Sequence, residues 1–262
     1  MTTRVIVITG ASSGIGAALA RLLAGRGASL ALGARREAEL EQVARECGVG
    51  ALSVVTDVTR RAEVEQLRDQ ALRAFGRVDV WVNNAGRGIG RAVLDLTGAD
   101  FDEMMAINAK SALYGMQAIL PYFKERGEGH LINVSSALGR IPFAAYRSAY
   151  SAAKAALNSL TANLRMDLRR EYPNIHVSLV MPPTVSSEFS RNALYGTPVP
   201  PGGPRPGNVV QTPEEVATAI AGLIDHPQSE LYTSPETAET VAHYYADVSA
   251  FEENMGKWGS NR

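Results

Sequence analysis

The stretch that decides the fold runs from Thr9 to Gly16 and reads TGASSGIG. It follows an apolar run, Val5–Ile8, and precedes a pattern of apolar residues at helical spacing from Ile15 to Leu23. Its glycines leave the chain free to turn tightly and let a ligand approach the backbone. The helix that follows begins with unpaired N–H groups and the positive end of its dipole. The stretch therefore predicts a strand, a tight turn and a helix, with an anion-binding site at the turn.

The spacing of these glycines is GxxxGxG, which differs from the GxGxxG of the common dinucleotide fingerprint. A tight turn that binds no ligand is the alternative interpretation. On the ligand-binding hypothesis, a pyrophosphate would contact Gly10, Ser12, Ser13, Gly14, Ile15 and Gly16.

Outward from this turn, short β-branched runs alternate with longer helical patterns. This alternation is typical of βαβ units, and it predicts a Rossmann-type, doubly wound α/β fold with a mostly parallel sheet of about seven strands. Several of the runs are apolar on both faces, as expected where helices cover each side of the sheet. The predicted strands are Val5–Ile8, Leu30–Leu32, Leu52–Thr56, Val78–Val82, His130–Val134 and Val177–Met181, with a weaker one near Leu231.

Composition and charge exclude several classes of protein. Of 262 residues, 45% are hydrophobic, and 26 basic residues against 27 acidic ones leave a net charge of −1. This balance gives no field that would attract nucleic acid or an anionic membrane. The single cysteine, Cys47, permits neither an internal disulfide nor a cysteine-based zinc site, and the four histidines are scattered, so we expect no metal. No apolar run is long enough for a signal peptide or a membrane span, and we expect a soluble, cytoplasmic protein.

The alternation continues without a linker to about residue 180, which predicts a single domain over residues 1–262. Eight of the 13 prolines then fall between Pro182 and Pro213. A long segment of this kind is usually functional, and it leaves the carboxyl end of a strand, where ligands of such sheets bind. We therefore predict a substrate lid over residues 182–213, with an inert surface loop as the alternative.

The second predicted strand ends in Gly33-Ala34-Arg35-Arg36. In a dinucleotide-binding fold, this position faces the adenosine ribose, where an acidic residue holds the 2′-hydroxyl of NAD and an arginine accommodates the 2′-phosphate of NADP. Two arginines and no acid stand here, which favours NADP(H) over NAD(H). Arg35 follows the strand directly and is the preferred phosphate partner, with Arg36 second; a solvated pair of arginines is the alternative.

Polar residues also end the third and fourth predicted strands. Asp57 follows the third, with Val58 beside it, and the fourth ends in the sequence NNAG from Asn83 to Gly86. Because parallel strands end at one edge of the sheet, these residues reach the same edge as the glycine turn. We expect Asp57, Val58, Asn84, Ala85 and Gly86 to contact a bound cofactor.

Tyr150 and Lys154 lie four residues apart in a strongly helix-forming segment and share one helix face. A neighbouring ammonium favours the phenolate, which makes the pair a candidate acid/base unit, although such a pair alone is more often a solvated face. Ser135 and Ser136 end the fifth predicted strand, where a hydroxyl can donate to a carbonyl oxygen or simply cap a turn.

In this order and at nearly these spacings, TGASSGIG, NNAG, Asn108, Ser136 and YSAAK resemble the short-chain dehydrogenase/reductase family, in its compact single-domain branch. The resemblance extends from about Val5 to Ser187. It implies that Tyr150 is the general acid/base and that Ser136 polarises the substrate carbonyl.

The same resemblance implies that Lys154 holds the nicotinamide ribose and lowers the pKa of Tyr150, while Asn108 supports a water that links Lys154 to solvent. Pro182 and Val185 lie in a stretch similar to the family's PGxVxT segment beside the nicotinamide. Here Pro183 replaces the glycine and Ser187 the threonine. The resemblance also implies a homodimer or homotetramer.

Two features of the sequence leave alternatives open. The interval between Ser136 and Tyr150 is one residue longer than expected, so the loop between them is expected to bulge, and Ser135 becomes the working serine if the register shifts. The leading hypothesis is an NADP(H)-dependent oxidoreductase acting on a carbonyl compound or a secondary alcohol. The rivals are a catalytically inactive nucleotide-binding regulatory or scaffold protein, and an epimerase or dehydratase of the family's extended branch.

The substrate is expected to be small and apolar, because apolar residues are dense before Tyr150 and in the predicted lid. The alternative places these residues in the core or in an interface. They are Leu138, Ile141, Phe143, Tyr146, Phe189, Leu194 and Tyr195.

Overall fold

The computed structural model describes residues 4–141, 143–196 and 209–260. The strands are β1 Val5–Thr9, β2 Ser29–Ala34, β3 Ala51–Val55, β4 Val80–Asn83, β5 Gly129–Val134, β6 Ile175–Met181, β7 Thr184–Val185, β8 Val210–Gln211 and β9 Glu230–Tyr232. The α-helices are α1 Gly14–Gly25, α2 Glu37–Cys47, α3 Arg61–Phe75, α4 Gly98–Met105, α5 Ser111–Arg126, α6 Ser148–Leu168, α7 Pro213–Asp225, α8 Pro235–Ala246 and α9 Val248–Ser260.

Seven of these strands form one sheet in the order β3-β2-β1-β4-β5-β6-β9, and every pairing in it is parallel. The predicted doubly wound α/β fold is confirmed, including the weak strand near Leu231, which is β9. Strand order reverses at β1, because β2 pairs with one of its sides and β4 with the other. Ligands of such sheets bind in the crevice at this reversal.

The sheet is buried on both faces, and alternate residues of each strand pack into different cores. Ile6 and Ile8 of β1 pack with residues of α1, α2 and α7, whereas Val5 and Val7 pack with residues of α3, α5 and α6. This period-two division explains why the strands are continuously apolar in the sequence. Two buried layers hold the carboxyl ends of the strands in fixed register.

The helices follow the helical patterns of the sequence. α7 begins with a capping box, in which Thr212 Oγ1 accepts from the N–H of Glu215 at 3.2 Å and the Glu215 carboxylate accepts from the N–H of Thr212 at 2.7 Å. Within the described ranges, no helix combines the length and the apolar character needed to cross a membrane.

The segment predicted to be a lid is partly outside the described residues, which omit 197–208. On either side of that interval, β7 and β8 pair with each other, apart from the main sheet. Leu194 forms a bridge with Ile89, and the Tyr195 hydroxyl donates to Asp100 at 2.9 Å. These contacts fix the part of the segment that approaches α4, and closure over a ligand stays a prediction.

Candidate active site

A cavity of about 780 Å³ extends along the carboxyl edge of the sheet. We call its two limits the arginine end, at Arg35 and Arg36, and the tyrosine end, at Tyr150. The predicted site residues that line it are Gly10, Ser12, Ser13, Gly14, Ile15, Arg35, Arg36, Asp57, Val58, Asn84, Ala85, Gly86, Ser136, Tyr150, Lys154, Pro182 and Val185. Gly16 and Asn108 do not line the cavity, but each contacts residues that do.

The glycine turn has its shape for two reasons. Gly10 and Gly14 adopt φ values of +68° and +54°, which L-residues with side chains rarely adopt. A Cβ on Gly16 would lie 2.4 Å from Gly10 O, and one on Gly10 would lie 2.7 Å from Ala85 Cα. The turn therefore folds tightly upon itself and against Ala85, and this packing leaves the first turn of α1 facing the cavity.

Thr9 joins this turn to the segment after β4. Its hydroxyl donates to Val82 O at 3.3 Å and accepts from the N–H groups of Asn84 and Ala85 at 3.0 and 3.2 Å. The Asn84 side-chain amide donates to Thr9 O and Gly10 O at 3.0 and 3.3 Å. The Asn84 side chain was expected to contact a bound cofactor, whereas in the structure its N–H groups donate to the glycine turn. The two segments form one rigid wall.

At the arginine end, the two arginines have different surroundings. Arg36 is half-buried, and its guanidinium donates to Ser13 Oγ at 2.6 Å and to Ser12 Oγ at 3.3 Å. The same guanidinium lies 3.5 Å from Glu188, which belongs to the segment after β7. Arg35 is exposed. Arg36, which the sequence ranked second as the phosphate partner, is thus held against the glycine turn. Which of the two arginines binds a phosphate stays a prediction.

Asp57 completes the floor of this end of the cavity. Its carboxylate accepts from Thr59 Oγ1 at 2.7 Å and from the N–H of Thr59 at 3.0 Å. Burial acts to raise the pKa of Asp57, but these two bonds and the charge of Arg35 outweigh it and lower the pKa. Asp57 is therefore a carboxylate at neutral pH, oriented by the chain that follows it.

Tyr150 and Lys154 share the inner face of α6, as predicted, and both side chains are buried. The Lys154 ammonium donates to Val134 O at 2.9 Å and lies 5.7 Å from the centre of the Tyr150 ring. The Ser136 hydroxyl acts on the Tyr150 phenol and lowers its pKa, which indicates that the two groups are close. The structure thus brings a hydroxyl, a phenol and an amine together at the end of β5.

The pKa of Tyr150 moves in the opposite direction to the expected one. Burial raises it to about 12, against the opposing influence of the Ser136 hydroxyl and the charge of Arg147. Burial also lowers the pKa of Lys154 to about 7, so its ammonium is only partly protonated at neutral pH. The phenol therefore keeps its proton at neutral pH, and the cation acting on its pKa is Arg147.

The two serines at the end of β5 have different partners. Ser135 Oγ donates to Asn158 Oδ1 at 2.5 Å, so its hydroxyl is engaged by α6, although Ser135 also lines the cavity. Ser136 lies next to Tyr150, and its Oγ accepts from the N–H of Leu138 at 3.2 Å. A 3₁₀ turn at Ala137–Gly139 follows the two serines, and the assignment of the working serine to Ser136 stays a prediction.

Asn108 lies in a π-helical turn, Ala106–Lys110, between α4 and α5. Its amide donates to Arg87 O at 2.9 Å, and its Oδ1 accepts from the N–H of Arg87 at 3.1 Å. A Cβ on Gly86 would lie 2.9 Å from Asn108 Oδ1 and 3.7 Å from Lys154 Nζ. Asn108 therefore holds the loop after β4 against Lys154, and its predicted support of a water is not tested by these contacts.

The apolar residues proposed for the substrate pocket divide into two groups. Those that line the cavity are Leu138, Phe143, Tyr146 and Phe189, and Phe189 packs edge-on against Tyr150 with ring centres 5.4 Å apart. The other three are absent from the lining, because Ile141 is buried, Leu194 pairs with Ile89, and Tyr195 stacks on Arg91. Four of the seven residues therefore line the cavity, and the other three pack elsewhere.

Four charged residues of the cavity were not predicted from the sequence, namely Arg87, Arg147, Glu188 and Arg191. Arg147 precedes Tyr150 by three residues, so helical spacing was available as a signal for it. The position of Glu188 could not be predicted from the residues around it in the sequence. Its contact with Arg36 depends on how the chain returns to the glycine turn after β7.

The family model for short-chain dehydrogenases matches residues 4–195. The uncharacterised oxidoreductase YxnA of Bacillus subtilis is 35% identical over 233 residues, which are 87% of this chain and 65% of that protein, so the chain spans just under two thirds of that relative.

Two solved structures extend the likeness to the fold. An alcohol dehydrogenase from Thermococcus sibiricus, complexed with 5-hydroxy-NADP, is 30% identical with a TM-score of 0.76, over 88% of this chain and 96% of its own. A short-chain dehydrogenase/reductase from Burkholderia phymatum, in complex with NAD, is 28% identical with a TM-score of 0.84, over 95% of each chain.

Proposed function

Because this chain belongs to the short-chain dehydrogenase family and is an oxidoreductase of that family, we propose that it transfers a hydride between NADP(H) and a carbonyl compound or secondary alcohol, with Tyr150 as general acid/base. The observation that carries this proposal is the continuity of the cavity. It runs from the glycine turn and the two arginines to Ser136, Tyr150 and Lys154 without interruption.

The residues present fit a dinucleotide. Gly10 and Gly14 leave the turn without side chains, Ser12 and Ser13 add hydroxyls, and the N-terminus of α1 favours a pyrophosphate. Asp57 and Val58 would contact the adenosine, and Lys154, Pro182 and Val185 the nicotinamide half. When bound, the nicotinamide supplies or accepts the hydride.

Residues of the protein itself would donate and accept the proton of the reaction. At neutral pH the Tyr150 phenol keeps its proton, because its pKa is about 12, and it is therefore ready to donate to a carbonyl oxygen during reduction. Ser136, which lines the cavity together with Tyr150, would hold that oxygen and stabilise its developing negative charge. In the reverse direction Tyr150 must first lose its proton, which an ammonium at Lys154 and the guanidinium of Arg147 would favour.

The preference for NADP(H) rests on the arginine end. Ala34 occupies the position where an acid would hold the 2′-hydroxyl of NAD, and Arg35 and Arg36 both line the cavity beside it. Arg36 is held in place by Ser12 and Ser13, so little side-chain entropy would be lost when it binds a phosphate.

The substrate would be small and largely apolar, because Leu138, Phe143 and Phe189 line the tyrosine end. The segment after β6 would form the substrate-side wall and act as its lid. By likeness to the family, we also propose a single domain that works in the cytoplasm as a homodimer or homotetramer.

The direct test is turnover of the purified protein with a panel of ketones, aldehydes and secondary alcohols, each with both cofactors. We expect activity with NADPH or NADP⁺ to exceed that with NADH or NAD⁺. Cofactor binding without turnover of any substrate would contradict the proposal and favour an inactive nucleotide-binding protein of the same fold.

A further inference from the structure

A buried arginine shares the wall of the cavity with Tyr150. Arg147 lies at the start of α6, three residues before Tyr150, and only 5% of its surface is exposed. Its guanidinium donates to Ile89 O at 3.1 Å and to Ser190 Oγ at 3.4 Å. These bonds fix the cation between the loop after β4 and the segment after β6, on the substrate side of Tyr150.

The absence of a side chain at Gly88 leaves space for the Arg147 guanidinium. A Cβ on Gly88 would lie 2.4 Å from Arg147 Nη1 and 2.8 Å from the ring of Phe189, so a larger residue there would displace the guanidinium. Arg147 Cζ lies 5.7 Å from the centre of the Phe189 ring, which itself packs against Tyr150. Arginine, aromatic ring and phenol thus form one continuous surface.

The cavity as a whole is also lined by more basic than acidic residues. Among its described lining residues, six are basic and two are acidic. At the tyrosine end, the guanidinium of Arg87 is bonded to Glu103 at 2.8 Å, and the Arg191 side chain is 80% exposed. Lys154 and Arg147 are the buried members of this group, and the Lys154 amine donates to Val134 O. Charges interact more strongly in such surroundings, because water screens them less.

We propose that Arg147 binds an anionic group of the substrate, so that the preferred substrates are carbonyl compounds or alcohols carrying a carboxylate or phosphate near the reacting carbon. This inference rests on the proposed function. Arg147 and Tyr150 both contact the ring of Phe189, whose centre lies 5.7 Å from Arg147 Cζ and 5.4 Å from the centre of the Tyr150 ring, so one small substrate can reach both residues. Phe143 and Phe189 would cover the apolar remainder of the molecule.

The test uses matched aromatic substrates that differ only in charge, namely a keto acid, its methyl ester and its primary amide. A hydrogen bond to a charged group changes affinity about 10- to 150-fold, so we expect kcat/KM for the acid to exceed that for the ester by about this factor in the wild-type protein. Arg147→Met should reduce the acid-to-ester ratio at least about tenfold, and Arg147→Lys should retain part of it.

Arg191→Met is the matched control, because it removes an exposed cation from the same end of the cavity. It should change the ratio by no more than about twofold, since solvent screens that charge. Equal kcat/KM for acid and ester in the wild type, or loss of the preference in the Arg191 variant alone, would overturn the proposal.

Binding measurements separate this inference from the proposed function. Calorimetry of benzoate and benzamide in the presence of NADPH compares the charged and neutral ligands without requiring turnover or a stable Arg147→Met protein. Tighter binding of benzoate to the wild type, weakened in Arg147→Lys, supports the inference even if no substrate is turned over. Equal binding of the two ligands refutes it, while turnover of neutral ketones would still uphold the proposed function.

Discussion

The two edges of the sheet use charged and polar residues in opposite ways. At the amino edge, Asp79 accepts from the N–H of Val5 at 2.8 Å, from Arg77 at 2.5 Å and from Arg126 at 3.1 Å, so its charge is satisfied by neighbouring chain. At the carboxyl edge, the polar groups of Tyr150 and Lys154 face a cavity. The charged groups of the first edge therefore contribute to stability, whereas those of the second are the proposed place of the chemistry.

The largest expected effect is at the carboxyl edge. Tyr150→Phe removes only the oxygen that carries the proton, so turnover should fall about 100- to 10,000-fold while the dissociation constant of NADPH stays close to that of the wild type. Steady-state kinetics and cofactor titration measure the two quantities. Tyr172→Phe, remote from the cavity, is the control, and a Tyr150 variant that keeps more than about a tenth of wild-type turnover would exclude the assigned role.

The next effect is a reversal of cofactor preference. The wild type should bind NADPH about 10- to 150-fold more tightly than NADH, because a hydrogen bond to a charged phosphate is worth about 1.5–3 kcal/mol. Ala34→Asp should reverse this order, since a carboxylate accepts from the ribose hydroxyl of NADH and repels the phosphate of NADPH. Dissociation constants of both cofactors for the wild type, Ala34→Asp and the neutral control Ala34→Ser provide the test. A wild type that binds NADH more tightly would refute the NADP(H) assignment.

At the amino edge, the expected effect is on stability. Asp79→Asn should lower the free energy of unfolding by about 2 kcal/mol, because a largely buried carboxylate with three donors is replaced by a neutral amide. Asp225→Asn, whose exposed carboxylate pairs with Arg4, should cost less than about 1 kcal/mol. Urea unfolding measures both. A large loss of kcat in folded Asp79→Asn would break the proposed division between the edges.

The smallest effect concerns a buried histidine at the same edge. Burial lowers the pKa of His130 to about 3, so between about pH 6.5 and pH 3 the unfolded chain binds a proton that the folded protein does not. The free energy of unfolding should therefore decrease as the pH is lowered through this window, by about 1–2 kcal/mol between pH 7 and pH 5. His130→Asn should reduce that loss in urea unfolding, and the exposed His243 provides the control as His243→Asn. An identical loss in the wild type and His130→Asn would contradict the assignment.

Much of the fold was predictable because its signals are local. Each strand is a short apolar run, and the glycine turn needs left-handed backbone at Gly10 and Gly14, which few other residues supply. The C-terminal helices α8 and α9 gave no comparable signal. α8 buries little of its surface, and Thr237 and Val241 are its buried residues, so no clear apolar stripe marked it.

The residues of the site were predictable, whereas their electrostatics were not. Tyr150 and Lys154 share a helix face because of spacing alone. The pKa of Tyr150 depends instead on how deeply α6 is buried and on where Arg147 lies, and both are set by contacts between distant segments. The same holds for Asn84, whose amide binds the glycine turn because β1 and β4 are neighbours in the sheet.

The bonds of Thr9 have a consequence for the order of folding. One hydroxyl oxygen binds the N–H groups of Asn84 and Ala85, which are separated from it by 75 and 76 positions in the chain. These bonds become available only after β1 and β4 have paired, and contacts so distant in sequence form slowly because a long loop must close first. Competence to bind a nucleotide should therefore arise late in refolding, as one cooperative event, after most of the helical signal has returned.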